Sequence, residues 1–202
     1  MDKIFKTNKK IKYCMIVITL MGILAGSLFL TILKETDKES ITNSLNNFFD
    51  NIINNNLNYS LSLKSGLITN IIFVLSIWIF AVSIIGIPVI LFLYFLKVFG
   101  VGLTISSIIF NYKAKGVIYA LVYIFPHNIL LIFILAILSI NSIVYSFKVS
   151  SSFFKKESID FRPILNKHKY ILLISIIAVL ITSLYNTYIM PYLLKIVLKF
   201  IK

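Results

Sequence analysis

Apolar residues run along this chain in long uncharged blocks separated by short polar connections. Four windows hold no Asp, Glu, Lys or Arg, namely Tyr13–Leu33, Ser65–Leu96, Val98–Tyr112 and Gly116–Phe147, and a fifth, Tyr170–Met190, follows. A helix needs about 20 apolar residues to cross roughly 30 Å of hydrocarbon, so the pattern predicts about five crossings. The run from Ser65 to Tyr112 is too long for one span. Its strongest punctuation is Gly86-Ile87-Pro88, and a tight cytoplasmic turn there gives spans over 67–85 and 88–110. The block Gly116–Phe147 also exceeds one crossing. Pro126, which lacks a backbone donor, divides it into a short helix, 117–125, dipping partway into the membrane, and a span over 127–147. With spans at 13–33 and 170–190, the expected fold is all-α: a polytopic bundle forming one membrane domain, with one discontinuous helix and an external amphipathic helix.

That amphipathic helix is read from the segment 34–66, where the period changes. Ile41, Leu45, Phe48, Phe49, Ile52, Ile53 and Leu57 fall on one helical stripe with asparagines opposite, and Ser40 is placed to cap it. Such a helix lies on the outer leaflet or receives a helix of another protein, so the stripe is the candidate partner-binding face. The tail 191–202, after Pro191, stacks Lys195, Lys199 and Lys202 and reads as an interfacial helix.

Composition agrees with the pattern. The chain is 59% apolar and 13% charged, with mean hydropathy +0.95, outside the range of soluble domains. The net charge of +13 would suggest nucleic acid in a soluble protein. Here the cations flank spans, so an anionic membrane surface is the expected partner and no nucleic acid is. Lys and Arg concentrate in the arm 1–12 and the connection 148–169, which places both in the cytoplasm and the C-terminus outside. The apolar core behind the arm is longer than that of a signal peptide and reads as a retained anchor. Cys14, the single cysteine, excludes an internal disulfide or a thiolate cluster.

Candidate chemistry is sparse. His127 and His168 are the two histidines, expected in different compartments, so no metal centre and no cofactor is expected. No metalloprotease, nucleophile-elbow or phosphate-loop motif occurs, and no carboxylate lies in a span to relay protons. A Ser–His pair would need His127 to meet Ser106 or Ser139, and nothing local positions either. Lys97 falls inside the third span, where it either snorkels or lines an internal polar cavity. Gly22 and Gly26 have the spacing that lets helices approach closely, and Gly100 and Gly102 open a groove. At the triplet Pro126-His127-Asn128, Asn128 is expected to cap the following helix and His127 to offer a hydrogen bond to the third span. The alternative is a lateral surface for another membrane helix.

Asn70, Gly86-Ile87-Pro88, Phe99-Gly100-Val101-Gly102, Gly116 and Pro126-His127-Asn128 follow one another at familiar intervals. Over about Gly66 to Phe147 the chain resembles the stage II sporulation protein M family and its wider membrane relatives. The wider family's Pro-His-Gly followed by a glutamate is Pro-His-Asn here, with no acid at Leu131 or its neighbours, and the sporulation branch is the more similar. The resemblance implies a scaffold, not an enzyme, in the mother-cell or septal membrane of an endospore-forming bacterium. It would anchor a stage II sporulation protein P-like amidase and a stage II sporulation protein D-like lytic transglycosylase during engulfment, and it is compatible with a homo-oligomer. The alternative function is a small permease or permease subunit with a midplane site at the broken helix, prompted by Lys97 and Pro126.

Overall fold

The structure is a computed structural model that describes residues 9–83, 85–125, 127–155 and 162–200. Among the described residues seven α-helices follow in order: α1 Lys9–Ile32, α2 Glu35–Ile53, α3 Tyr59–Phe80, α4 Gly86–Ile124, α5 His127–Lys155, α6 Arg162–Leu184 and α7 Met190–Phe200. Among the described residues five helical stretches are long and apolar enough to cross a membrane. Large apolar side chains such as Leu24, Ile32, Phe133 and Ile181 stand exposed on the outer surface, as contact with lipid allows and contact with water would not.

Helices in hydrocarbon associate through close van der Waals approach rather than hydrophobic burial. Such a close approach joins α1 and α4. A Cβ on Gly26 would collide with the Phe99 carbonyl, and one on Gly102 would collide with the Ile23 carbonyl. Ser27 Oγ, one residue from Gly26, donates to Ile23 O at 2.9 Å and to Gly102 O at 3.4 Å. Thr19 Oγ1 meets Tyr94 Oη at 2.7 Å, adding a polar link between the same two helices. The core proper gathers Val74 and Ile77 of α3, Ile90 and Val98 of α4, Leu131 and Leu135 of α5, and Val179 of α6.

The connections differ from the sequence reading in several places. α2 begins at Glu35, with Glu35 and Asp37 in its first turn, so Ser40 is internal and caps nothing. The acids complement the positive end of the helix dipole. α3 begins at Tyr59, capped by Asn58, whose Oδ1 accepts from Leu61 N at 3.1 Å, so the second span starts well before residue 67. It ends at Phe80, and the turn is 81–85 rather than 86–88. Gly86 and Pro88 instead sit in the first turn of α4. Proline is tolerated there because the backbone donor it lacks has no intrahelical partner anyway. Gly86 lets that turn pack against the Phe80 carbonyl, and Ser146 Oγ of α5 donates to Ser83 O at 2.8 Å to hold the turn.

At Lys113 the backbone of α4 leaves the helical region (φ 51°, ψ −127°), dividing α4 into a limb over 86–112 and a limb over 114–124. The second limb doubles back on the first: a Cβ on Gly116 would reach the backbone of Ile108 and Ile109. The short helix therefore begins at the Lys113 reversal, before residue 117. The basic connection 148–169 is also largely helical, since α5 runs to Lys155 and α6 starts at Arg162. Its middle and the first residues of the arm 1–12 lie outside the described residues.

The tail is helical, but α7 begins at Met190, ahead of Pro191, and runs on from α6. α6 passes into α7 through a π-helical turn, Tyr185–Ile189, in which Met190 N bonds Tyr185 O. The wider turn takes up the ladder bond that Pro191 cannot make. Met190 and Leu194 then join Phe49 and Ile52 of α2, Ile108, and Tyr119 and Ala120 of the second α4 limb in one buried cluster. Lys195 Nζ donates to Asn55 Oδ1. Hence α2, the Lys113 reversal and α7 occupy one end of the bundle, opposite the 81–85 turn.

Two outcomes test this arrangement. Gly26→Leu forces a side chain into the Phe99 backbone and should cost about 2–3 kcal/mol or more. Gly66→Ala, where an added Cβ meets nothing within 4 Å, should be neutral or stabilising by up to ~1 kcal/mol; thermal unfolding in detergent compares the two. In a Cys14→Ser background, cysteines replacing Asp50 and Lys199 should react with an impermeant maleimide from the same side of sealed vesicles. Labelling from opposite sides would separate α2 from α7.

Candidate functional site: a polar cavity beside the broken helix

The span lysine does not snorkel. Lys97 Nζ donates to Asn70 Oδ1 of α3 at 2.6 Å and stands 5.4 Å from the centre of the Phe73 ring. Among the described residues no carboxylate pairs with Lys97, which faces a neutral acceptor and an aromatic ring. Beside it lies a cavity of about 320 Å³ lined by Phe73, Leu96, Lys97, Gly100, Val101, Thr104, Tyr123, Ile124 and Asn128. Lys97, Gly100 and Thr104 fall at i, i+3 and i+7 of α4 and so share one face. Gly100 keeps that face open, since a Cβ built there meets nothing within 4 Å, whereas Gly102 is pressed against α1. The two glycines expected to form one groove thus serve two different contacts.

The depth of the cavity follows from helix rise. Counting about 1.5 Å per residue from Gly86, Lys97 stands about 16 Å along α4 and Thr104 about 27 Å. Against roughly 30 Å of hydrocarbon, the cavity runs from mid-depth toward the end that carries α2. The break supplies its far wall. The second limb of α4 stops at Ile124, and Phe125 is extended (φ −91°, ψ 133°), the conformation favoured ahead of proline. Pro126 itself lies outside the described residues.

Asn128 is the second residue of α5, inside the helix, so the expected capping role is not the one it takes; it lines the cavity instead. His127 is 5% exposed. Its ring lies 5.9 Å from that of Tyr123 and 6.1 Å from that of Tyr185 in the π-helical turn. Its Nδ1 has no partner in the structure, so the expected hydrogen bond to the third span is not formed by that atom. The ring neighbours of His127 are tyrosines. Ser106 Oγ is committed to Leu103 O at 2.9 Å, and Ser139 is buried without a partner. No group of three or more His, Cys, Asp or Glu that could hold a metal occurs among the described residues.

A second polar centre was missed in the sequence. His168, assigned to the basic connection, is fully buried because α6 begins at Arg162. Its ring stacks between Trp78 (5.3 Å) and Tyr145 (4.7 Å), with interplanar angles of 9° and 13°. Nε2 lies 3.3 Å from Trp78 O and Nδ1 2.9 Å from Asn141 Nδ2. A carbonyl only accepts and an amide nitrogen only donates, so the pairing selects the neutral Nε2–H tautomer. The signal was present: Ile164, His168, Ile171, Ser175 and Ala178 continue the inward stripe of α6 at helical spacing. Both imidazole nitrogens are satisfied, and the role of His168 is structural.

The candidate partner-binding stripe on α2 is also corrected. Phe49 and Ile52 are 3% and 2% exposed and pack inside the chain, with Leu45, Phe48 and Leu57 against the same cluster. Phe49 lies edge-on to Tyr112 at 5.0 Å. Thr42 Oγ1 bonds Asn111 Oδ1 at 2.8 Å, and Tyr112 Oη bonds Asn46 Oδ1 at 2.7 Å. Ile41 is half-buried and Ile53 exposed, too little to form an apolar docking face by themselves. Amphipathicity specifies that a face is covered and is silent about whose atoms cover it.

Asn70→Leu strands the Lys97 ammonium and should cost about 1.5–3 kcal/mol. Adding Lys97→Met should recover most of the loss. A double-mutant cycle on thermal unfolding in detergent reads the coupling, and simple additivity would refute it.

A family model described as stage II sporulation protein M matches residues 15–191. No curated protein and no solved structure matches the chain.

Proposed function

The chain belongs to the stage II sporulation protein M family, and from that premise we propose that it is a non-enzymatic scaffold of engulfment. It is a multi-pass, sporulation-related membrane protein. In this reading it sits in the septal membrane of the mother cell and anchors a P-like amidase and a D-like lytic transglycosylase, which cleave peptidoglycan outside.

One observation supports the anchoring role: α2 is an ordered platform fastened to one end of the bundle. Its apolar face is consumed by α7 and the second limb of α4. The opposite face, with Asn43, Asn47, Asp50 and Asn54 one helical row apart, is exposed. Docking on a helix already ordered avoids the entropy of folding it on binding. Polar amide groups suit a wet, hydrogen-bonded interface. The docking face is thus the reverse of the stripe that the sequence suggests. The cavity at Lys97 also fits a small permease or permease subunit. Against that reading, none of the uncharged spanning windows offers a carboxylate with which to couple a proton or cation.

Asn43→Lys with Asn47→Lys and Asn54→Lys should leave insertion and thermal stability in detergent unchanged while abolishing co-purification of the amidase from solubilised sporulating cells. Full co-purification by this variant would remove α2 as the anchor.

A further inference from the structure

We propose that the cavity between Lys97 and the start of α5 binds the phosphate group of an anionic phospholipid, drawn from the leaflet on the α2 side. The site stands independently of the scaffold reading, because it rests on the charge and shape of the cavity alone.

Lys97 carries a charge at mid-depth, its hydrogen-bond acceptor is the neutral Asn70, and no acid pairs with it among the described residues. An ammonium held in an apolar medium without a counter-charge is costly, so an anion that reaches it gains an interaction no group of this chain supplies. The geometry leaves room for one. The cavity of about 320 Å³ falls at the lower end of the roughly 300–1,000 Å³ of small-molecule sites. Gly100 opens onto free space beside Lys97. Asn128 brings an amide to the same volume, while the Thr104 hydroxyl in the lining donates to Gly100 O at 2.9 Å. α5 starts one residue before Asn128, so its first backbone N–H groups lack intrahelical acceptors beside the lining.

Two features point to a lipid as the source. Leu96 lines the cavity and is 38% exposed, so this wall is not sealed inside the bundle. Phe73, Val101 and Ile124 are apolar lining suited to an acyl chain. The upper end at Thr104, about 27 Å along α4, is at headgroup height in a core of about 30 Å. A carboxylate on a neighbouring membrane helix would answer the same charge, but a helix presents a convex face and this site is concave.

The test uses the full chain purified in detergent, with its unfolding midpoint titrated against phosphatidylglycerol, phosphatidylcholine and inorganic phosphate. Phosphatidylglycerol should raise the midpoint in a saturable way and phosphatidylcholine should not. In Lys97→Met the half-saturating concentration should rise at least about tenfold, as expected for losing a charge-assisted bond. Gly100→Leu should fold, since its side chain enters empty space, and should lose the response by filling the cavity. It keeps the proposal falsifiable if Lys97→Met does not fold. Equal responses to the two lipids, or a phosphatidylglycerol response unchanged in Gly100→Leu, would overturn the proposal. A response to inorganic phosphate alone, lost in both variants, would overturn the lipid source.

Discussion

Everything in this bundle depends on the backbone contact between α1 and α4. In hydrocarbon, leucine gains nothing from leaving lipid to meet leucine, and helices settle where their backbones approach most closely. Gly26 beneath the Phe99 carbonyl and Gly102 beneath the Ile23 carbonyl permit that approach. The contact also sets the rotation of α4. Gly100 lies two residues from Gly102, about 200° around the helix, so seating Gly102 on α1 turns Gly100, Lys97 and Thr104 away from it and onto the cavity. A packing requirement on one face of α4 thereby positions a charge on the other.

The same medium explains the contrast between the two polar centres. Without water, each buried polar group must find its partner in the protein. His168 does so fully, with Asn141 and the Trp78 carbonyl on its two nitrogens and aromatic rings on both faces. Lys97 has one neutral acceptor and a ring beneath it. A centre closed on itself rigidifies helices. A centre that lacks its counter-charge and borders a cavity is open to a ligand.

At the opposite end from the 81–85 turn, the reversal at Lys113 sends the second limb of α4 back along the first. That limb, α7 and α2 bury one another's apolar faces. The consequence for function is an inversion of surfaces: the stripe that resembled a docking site is internal cement, and the asparagine-rich reverse is what the molecule presents outward.

The sequence by itself determined the solvent, the all-α class and the five long apolar helices, because hydrocarbon imposes length and charge limits that each segment meets alone. It also marked Lys97, Gly100 and Asn128 as unusual residues for their setting, and Asn70 through the family resemblance. Tertiary structure decided the rest. Helix ends moved by several residues at Tyr59 and Arg162, since an uncharged window marks the lipid boundary while the helix runs on into the polar connection. Which residues share a site was likewise invisible: Phe73, Lys97 and Asn128 come from three helices, and only their packing places them around one volume. The inward face of α2 and the burial of His168 belong to the same class. Periodicity reports that a face is covered, whereas the identity of the cover depends on rotations and crossings set by contacts far apart in the chain.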